Sequence, residues 1–235
     1  MSTYLELCGD LARAIGYEAP TSVVAQTGSA LKLVNRIAQA ELEIKNLWQD
    51  WRFLSSENNT PYSQTLTIDQ IGYTKPADHG VWDPKSFYID YTTDNYQHLD
   101  PLDYDEWRKT FRNGTQTSDI PTRVVLDRND DIILWPPPDS GYTLTGEYMI
   151  LPIRMTANAE VSVIPVQFHR VILLKAKLFY AEEEDGPEIF EASSAELYGT
   201  RDMPGGLLGQ LESHQLPDQG NRRKARGEDL TVVAQ

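Results

Sequence analysis

The chain has 235 residues, 40% of them apolar and 10% aromatic, enough to bury a sizeable core and to exclude a wholly disordered polypeptide. A formal net charge of −14 argues against a general DNA-coating role, because phosphate affinity comes from Lys and Arg. The one cysteine, Cys8, allows no intrachain disulfide, and no run reaches the roughly 18 uncharged apolar residues of a membrane span.

Met1–Asp10 lacks a basic start followed by an apolar run, so no signal peptide is expected, and a lone cysteine fits folding in a reducing cytoplasm. Residues 1–54 read as a helical region. Leu5, Cys8, Leu11, Ala12 and Ile15 recur at helical spacing over Tyr4–Ile15, and Gly16 follows as a stop. Beyond the turn-rich connector Pro20–Gly28, Ser29 is the expected cap of a long helix reaching about Phe53. Leu33, Ile37, Ala40, Ile44, Leu47 and Trp51 step by fours and threes along it in a heptad-like stripe. Leu31, Val34, Leu42 and Trp48 widen that stripe, as for a helix with more than one neighbour.

Residues 55–164 read as a β-rich region containing one short helix. Gln64–Ile68, Ser86–Tyr91, Thr122–Leu126, Ile132–Trp135 and Tyr142–Ile150 are short, β-branched and aromatic, with Pro, Gly and Asp punctuation. Asp127–Asp131 makes a five-residue hairpin loop, and Pro136–Pro138 ends the following strand because proline donates no ladder hydrogen bond. Asp100–Arg112 reads as a short helix. Residues 165–200 return to helix, opened by Pro165, broken at Gly186-Pro187 and resumed over Glu188–Tyr198, with this pair expected to pack on the N-terminal helices. Residues 201–235 read as an extended polar tail carrying Arg222, Arg223, Lys224 and Arg226. The fold class is therefore α+β: N-terminal helices with one long member, a central small antiparallel sheet or sandwich, a C-terminal helix pair and a tail.

No phosphate loop, dinucleotide turn, paired cysteines or nucleophile elbow is present. His79, His98, His169 and His214 show no metal-ligand spacing; His169 reads as a partly buried structural histidine, and His79 and His98 as solvent-facing. Asp127, Asp130 and Asp131 share a loop but lack the glycine and glutamate of a calcium-binding loop, and Asp serves turn geometry for its own sake. Glu182–Glu184 reads as a solvated helix end. The sequence calls for no catalytic residue, metal or cofactor. Its 12 tyrosines and 5 tryptophans suit protein interfaces.

In order along the chain stand LWQDWRFL (Leu47–Leu54), the strand entry Ile120-Pro121-Thr122, IILWPPPDSGYTLTGEYMILP (Ile132–Pro152), and Ile164-Pro165 with FHRVILLKAKLFYAEEED (Phe168–Asp185). These stretches, about half the chain, resemble the tailed-phage head–tail adaptor (head completion) proteins. That resemblance implies a non-enzymatic virion subunit of the neck, assembled in the host cytoplasm as a homo-oligomeric ring, commonly of twelve copies, beneath the portal protein. It also implies contact with a downstream tail or neck protein, DNA passing through the lumen, and a C-terminal segment that docks on the portal. Leu33, Ile37, Ile44, Leu47 and Trp51 are the expected packing residues. Leu207, Leu208, Leu211, Arg222, Arg223, Lys224 and Arg226 are the expected portal-docking set. The competing readings are another virion module, such as a tail terminator or carbohydrate-binding fibre piece, and a hydrolase using Asp127 and Asp131.

Overall fold

The computed structural model describes residues 2–56, 61–92, 95–114, 116–200 and 205–216. It is an α+β chain of two compact units, one built from residues 1–53 and 152–235, the other from 54–151. Each unit has its own core.

The first unit is helical. Helix α1 (Tyr4–Ile15) starts at a capping box: Glu6 N–H donates to Thr3 Oγ1 at 3.2 Å, and Thr3 N–H donates to the Glu6 carboxylate at 2.8 Å. Two of the orphan donors of a helix start are thereby satisfied. Gly16 closes α1 in the left-handed conformation at φ 78°, where a side chain would be strained. Tyr4, Leu7, Cys8, Leu11 and Ala12 form its buried face, and the Tyr4 hydroxyl donates to Val34 O at 2.8 Å across to the next helix.

Helix α2 spans Gly28–Asn46. It begins one residue before the expected cap Ser29 and ends well short of Phe53. Thr27 is the N-cap residue, and no side chain caps the helix. Trp51 lies beyond the helix and folds back, its indole N–H donating to Ile44 O at 3.0 Å. The last step of the heptad stripe is thus made by a returning loop. Helix α4 (His169–Glu183) packs on α1 and α2, α5 (Pro187–Tyr198) packs on α4, and α6 (Leu207–Gln215) packs on both. Pro165 is the N-cap of a short 3-10 turn (Val166–Phe168) that leads into α4.

Helix α6 is an addition to the expected pair. Leu207, Leu208 and Leu211 give this otherwise polar stretch one apolar side, and Leu211 is fully buried. Gly206 lets α6 start hard against the end of α5: a Cβ there would stand 2.4 Å from Gly199 N and 2.6 Å from the Glu196 and Leu197 carbonyl oxygens.

Among the described residues, the second unit holds ten short strands: β1 (Tyr62–Thr65), β2 (Gly72–Tyr73), β3 (His79–Trp82), β4 (Tyr88–Thr92), β5 (Asn95–His98), β6 (Asp100–Leu102), β7 (Arg123–Leu126), β8 (Ile132–Trp135), β9 (Thr143–Gly146) and β10 (Tyr148–Ile150). They form sheets of order β1-β9-β4-β5 and β2-β8-β7-β6 and the pair β10-β3. All pairings are antiparallel except β6 with β7. A parallel pair needs a crossover, and α3 (Tyr104–Thr110) supplies it. Asp100–Arg112 is therefore a strand followed by a helix, split where Asp103 caps α3 by accepting from the Asp105 and Glu106 N–H groups.

Hairpin β7–β8 pairs Leu126 with Ile132 across the five-residue loop, as the sequence predicts. The stretch Tyr142–Ile150 forms two strands. Gly146 lies against the Phe87 ring, where a Cβ would come within 2.5 Å, and after Glu147 the chain leaves one sheet for another. Trp82 centres the core, with Tyr62, Phe87 and Tyr148 at ring-centroid distances of 5.0–5.3 Å. Phe87, Ile89, Val124, Ile132, Leu134 and Leu144 complete it. At about 1.5–3 kcal/mol for each fully buried side chain, these residues stabilise a sheet set whose strands are too short to stand alone.

Candidate functional site

Side chains with catalytic or ligating chemistry are committed to local structure. Asp127 Oδ1 accepts from the N–H groups of Asn129 (2.7 Å) and Asp131 (3.0 Å), and Asp131 Oδ1 accepts from Lys75 N–H at 3.0 Å. Asp130 adopts φ 63° at the tip of the loop. The cluster shapes its hairpin, as Asp does in turns. Among the described residues no group of three or more His, Cys, Asp or Glu is placed to hold a metal ion. Burial pushes the Cys8 thiol up to about 12, which removes its thiolate at neutral pH.

His79 departs from its expected solvent-facing position. It is buried beside Trp82, ring centroids 4.6 Å apart, because β3 turns it inward with Trp82. Neither of its ring nitrogens has a hydrogen-bond partner, and burial lowers its pKa. His169 is a core histidine, its Nε2 2.9 Å from Ile164 O, and burial lowers its pKa too. His98 is exposed.

Among the described residues, the helical unit contains one ion pair with both side chains buried. Glu41 and Lys45 meet at 2.8 Å, one turn apart on α2. Ser162 Oγ donates to Glu41 Oε1 at 2.8 Å, and Lys45 Nζ donates to Ile153 O. Burial raises the Glu41 pKa against the opposing pull of Lys45 and Ser162. These bonds fix the segment that enters from residue 152 onto α2. Glu183 and Glu184, at the solvated end of α4 as expected, also face Lys32 and Arg36 of α2: Lys32–Glu184 is 3.4 Å, and Arg36 Nη2 bonds the Glu183 carboxylate. The acidic C-terminus of α4, unfavourable to its own helix dipole, is thus neutralised by a neighbouring helix.

Of the expected packing residues, Leu33, Ile37, Ile44 and Trp51 are buried within the chain's own helical core. Leu47, the C-cap of α2, is 48% exposed. The heptad-like stripe therefore builds the subunit itself, and Leu47 is the member left on the surface. Of the expected docking residues, Leu211 is internal and Leu207 and Leu208 are half-buried in α6. Trp48 ties α6 down through its indole N–H to Glu212 at 3.0 Å. Arg222, Arg223, Lys224 and Arg226 lie outside the described residues.

The exposed apolar side chains lie elsewhere. Between residues 153 and 166, Ile153, Val161, Val163 and Val166 are all exposed, at 62, 38, 41 and 54%. Ser162 and Ile164 alternate with the valines and point inward. Polar side chains on the outward positions would be the ordinary solution for a solvated surface, and here the outward positions carry valines. Pattern reasoning missed this segment because its alternation reads as one more strand; only the inward pair, fixed by Glu41 and the core, shows which side is out. No helix among the described residues is long and apolar enough to cross a membrane.

Residues 2–223 match the family model described as SU10 adaptor protein. No curated protein gives a significant match.

Proposed function

Because the chain belongs to the SU10 adaptor family, a family of phage head–tail adaptors, we propose that this virion protein is a structural subunit of the neck. Copies form a ring that joins the portal protein to the next tail or neck component and lets DNA pass. The observation that carries this reading is the row of outward apolar side chains Ile153, Val161, Val163 and Val166 beside a chain interior that is already well packed. A second copy of the chain seated on that row would remove it from water at about 25 cal/mol per Å².

The role is mechanical rather than enzymatic. Support comes from the way Asp127, Asp131, Glu41, His79 and His169 are spent on turns, ion pairs and core packing. The net charge of −14 suits a conduit that must not hold the duplex. Leu207 and Leu208, with the basic residues Arg222–Arg226, remain the proposed portal contact.

Electron microscopy of the purified chain, alone and mixed with portal rings, tests the proposal. Rings, or decorated portals, are the expected result. Val161→Asp/Val163→Asp should abolish them while leaving the melting temperature within about 3 °C, since exposed substitutions cost little stability. A chain that stays monomeric and ignores portal rings would refute the neck assignment.

A further inference from the structure

The helical unit carries a second apolar feature on its surface. A pocket of about 60 Å³ between α2, α4, α5 and α6 is lined by Leu47, Val171, Leu197, Tyr198 and Leu208. Leu47 and Tyr198 are each 48% exposed. The pocket's two charged side chains, Glu43 and Lys175, match each other at 3.2 Å. An apolar side chain entering there meets no unpaired ion, whereas a charged one would lose its water without gaining a partner.

This pocket lies across α2 from the outward apolar row. Glu41 and Lys45 hold Ser162 and Ile153 of the row's segment, and Glu43 and Leu47, each two residues further on, line the pocket. Two residues turn an α-helix through about 200°, so row and pocket look out from nearly opposite sides of the helical unit. In the ring proposed above, on which the following pairing rests, that placement matters. A row packed against the same row of a second copy makes a two-fold contact, which closes at two chains and builds no ring. A ring joins one patch to a different patch on the next copy. Shape argues likewise: a stable contact buries about 800 Å² on each partner, and a convex row reaches that only against a hollow that also covers its flanks.

We propose that Ile153, Val161 and Val163 of one copy pack on the Leu47–Tyr198 pocket of the next, with one branched side chain entering it. Leu208 belongs also to the proposed portal contact, so neighbour and portal contacts adjoin at α6.

The test uses full chains carrying one added cysteine each: Ile153→Cys, Val161→Cys or Val163→Cys on the row, and Leu47→Cys at the pocket. A row variant and the pocket variant are mixed in equal amounts, assembled alone or on portal rings, and treated with a short bismaleimide. Cys8 is buried and stays silent. Covalent dimers should form in a mixture and in no variant alone. Dimers from a row variant alone, or from Leu47→Cys alone, would mean like on like and overturn the pairing. Assemblies visible by microscopy that cross-link in no mixture overturn it too, and leave the ring standing. A wild-type chain that assembles neither alone nor on portal rings sinks the ring first and the pairing with it. Leu47→Lys places a cation where the C-terminal end of α2 favours one, so it should keep the melting midpoint within about 3 °C while cutting assembly about tenfold. Rings that persist in Leu47→Lys while portal binding is lost would give the pocket to the portal instead.

Discussion

Glu41 and Lys45 show how a single pair can organise the surface without touching it. Both are buried, and together they hold Ser162 and Ile153 of the entering segment on α2. Glu41→Leu alone leaves the Lys45 ammonium uncompensated and should cost about 3–5 kcal/mol in a denaturation experiment. The double change Glu41→Leu/Lys45→Met should recover most of that, because well-packed apolar side chains can replace a buried pair. Recovery of stability without recovery of assembly would place the pair's role in positioning Val161 and Val163.

His79 sets a pH response. Its folded-state pKa is lowered by burial, with Asp130 and Asp78 pulling it up and Lys75 pushing it down. An unfolded chain therefore binds a proton that the folded chain refuses, and so it does at His169. Stability from both is complete above about pH 6.5, the unfolded value, and falls as pH drops toward the folded values. Melts between pH 7.5 and 5.5 should show this slope, and His79→Phe, which suits the aromatic surroundings, should flatten part of it.

At the scale of elements, the junction of α5 and α6 is the least forgiving. Gly206 faces only backbone atoms at 2.4–2.6 Å from where a Cβ would be, so nothing flexible can yield. Gly206→Ala should displace α6 and lower stability by about 2 kcal/mol or more, and the Trp48–Glu212 bond should loosen, read by tryptophan fluorescence. The sequence made α1, α4, α5 and the β7–β8 hairpin legible, since each is periodic and ends in its own stop signal. It did not make α6 legible, whose apolar side is three leucines among polar residues. Nor did it reveal β2, β3, β5 and β6: two residues, a glycine-bearing run, a polar edge strand and a proline-bearing strand lack the alternation that pairing partners supply. The interaction residues were harder still. Leu33, Ile37 and Ile44 have the spacing of an interface stripe and of a core stripe alike, and only the position of α4 separates the two.

At the scale of the whole molecule, burial is nearly complete where helices meet and incomplete along 153–166. Assembly in the proposed ring would thus depend on a segment fixed from below by α2 rather than on the long helix itself.

The two units are threaded unequally. The β unit is continuous from 54 to 151, and its two ends lie side by side where Ser55 bridges Met149. The helical unit is split around it, and α1 and α2 have no α4 to pack against until the later half emerges from the ribosome. Chains ended just past Leu151 and released should therefore carry a finished β unit preceded by two waiting helices. The order of synthesis puts the stretch that displays the valines, 152–183, ahead of only α5 and α6 in the helical unit, so in the proposed ring a copy offers that surface only after α4 has been made to meet α1 and α2.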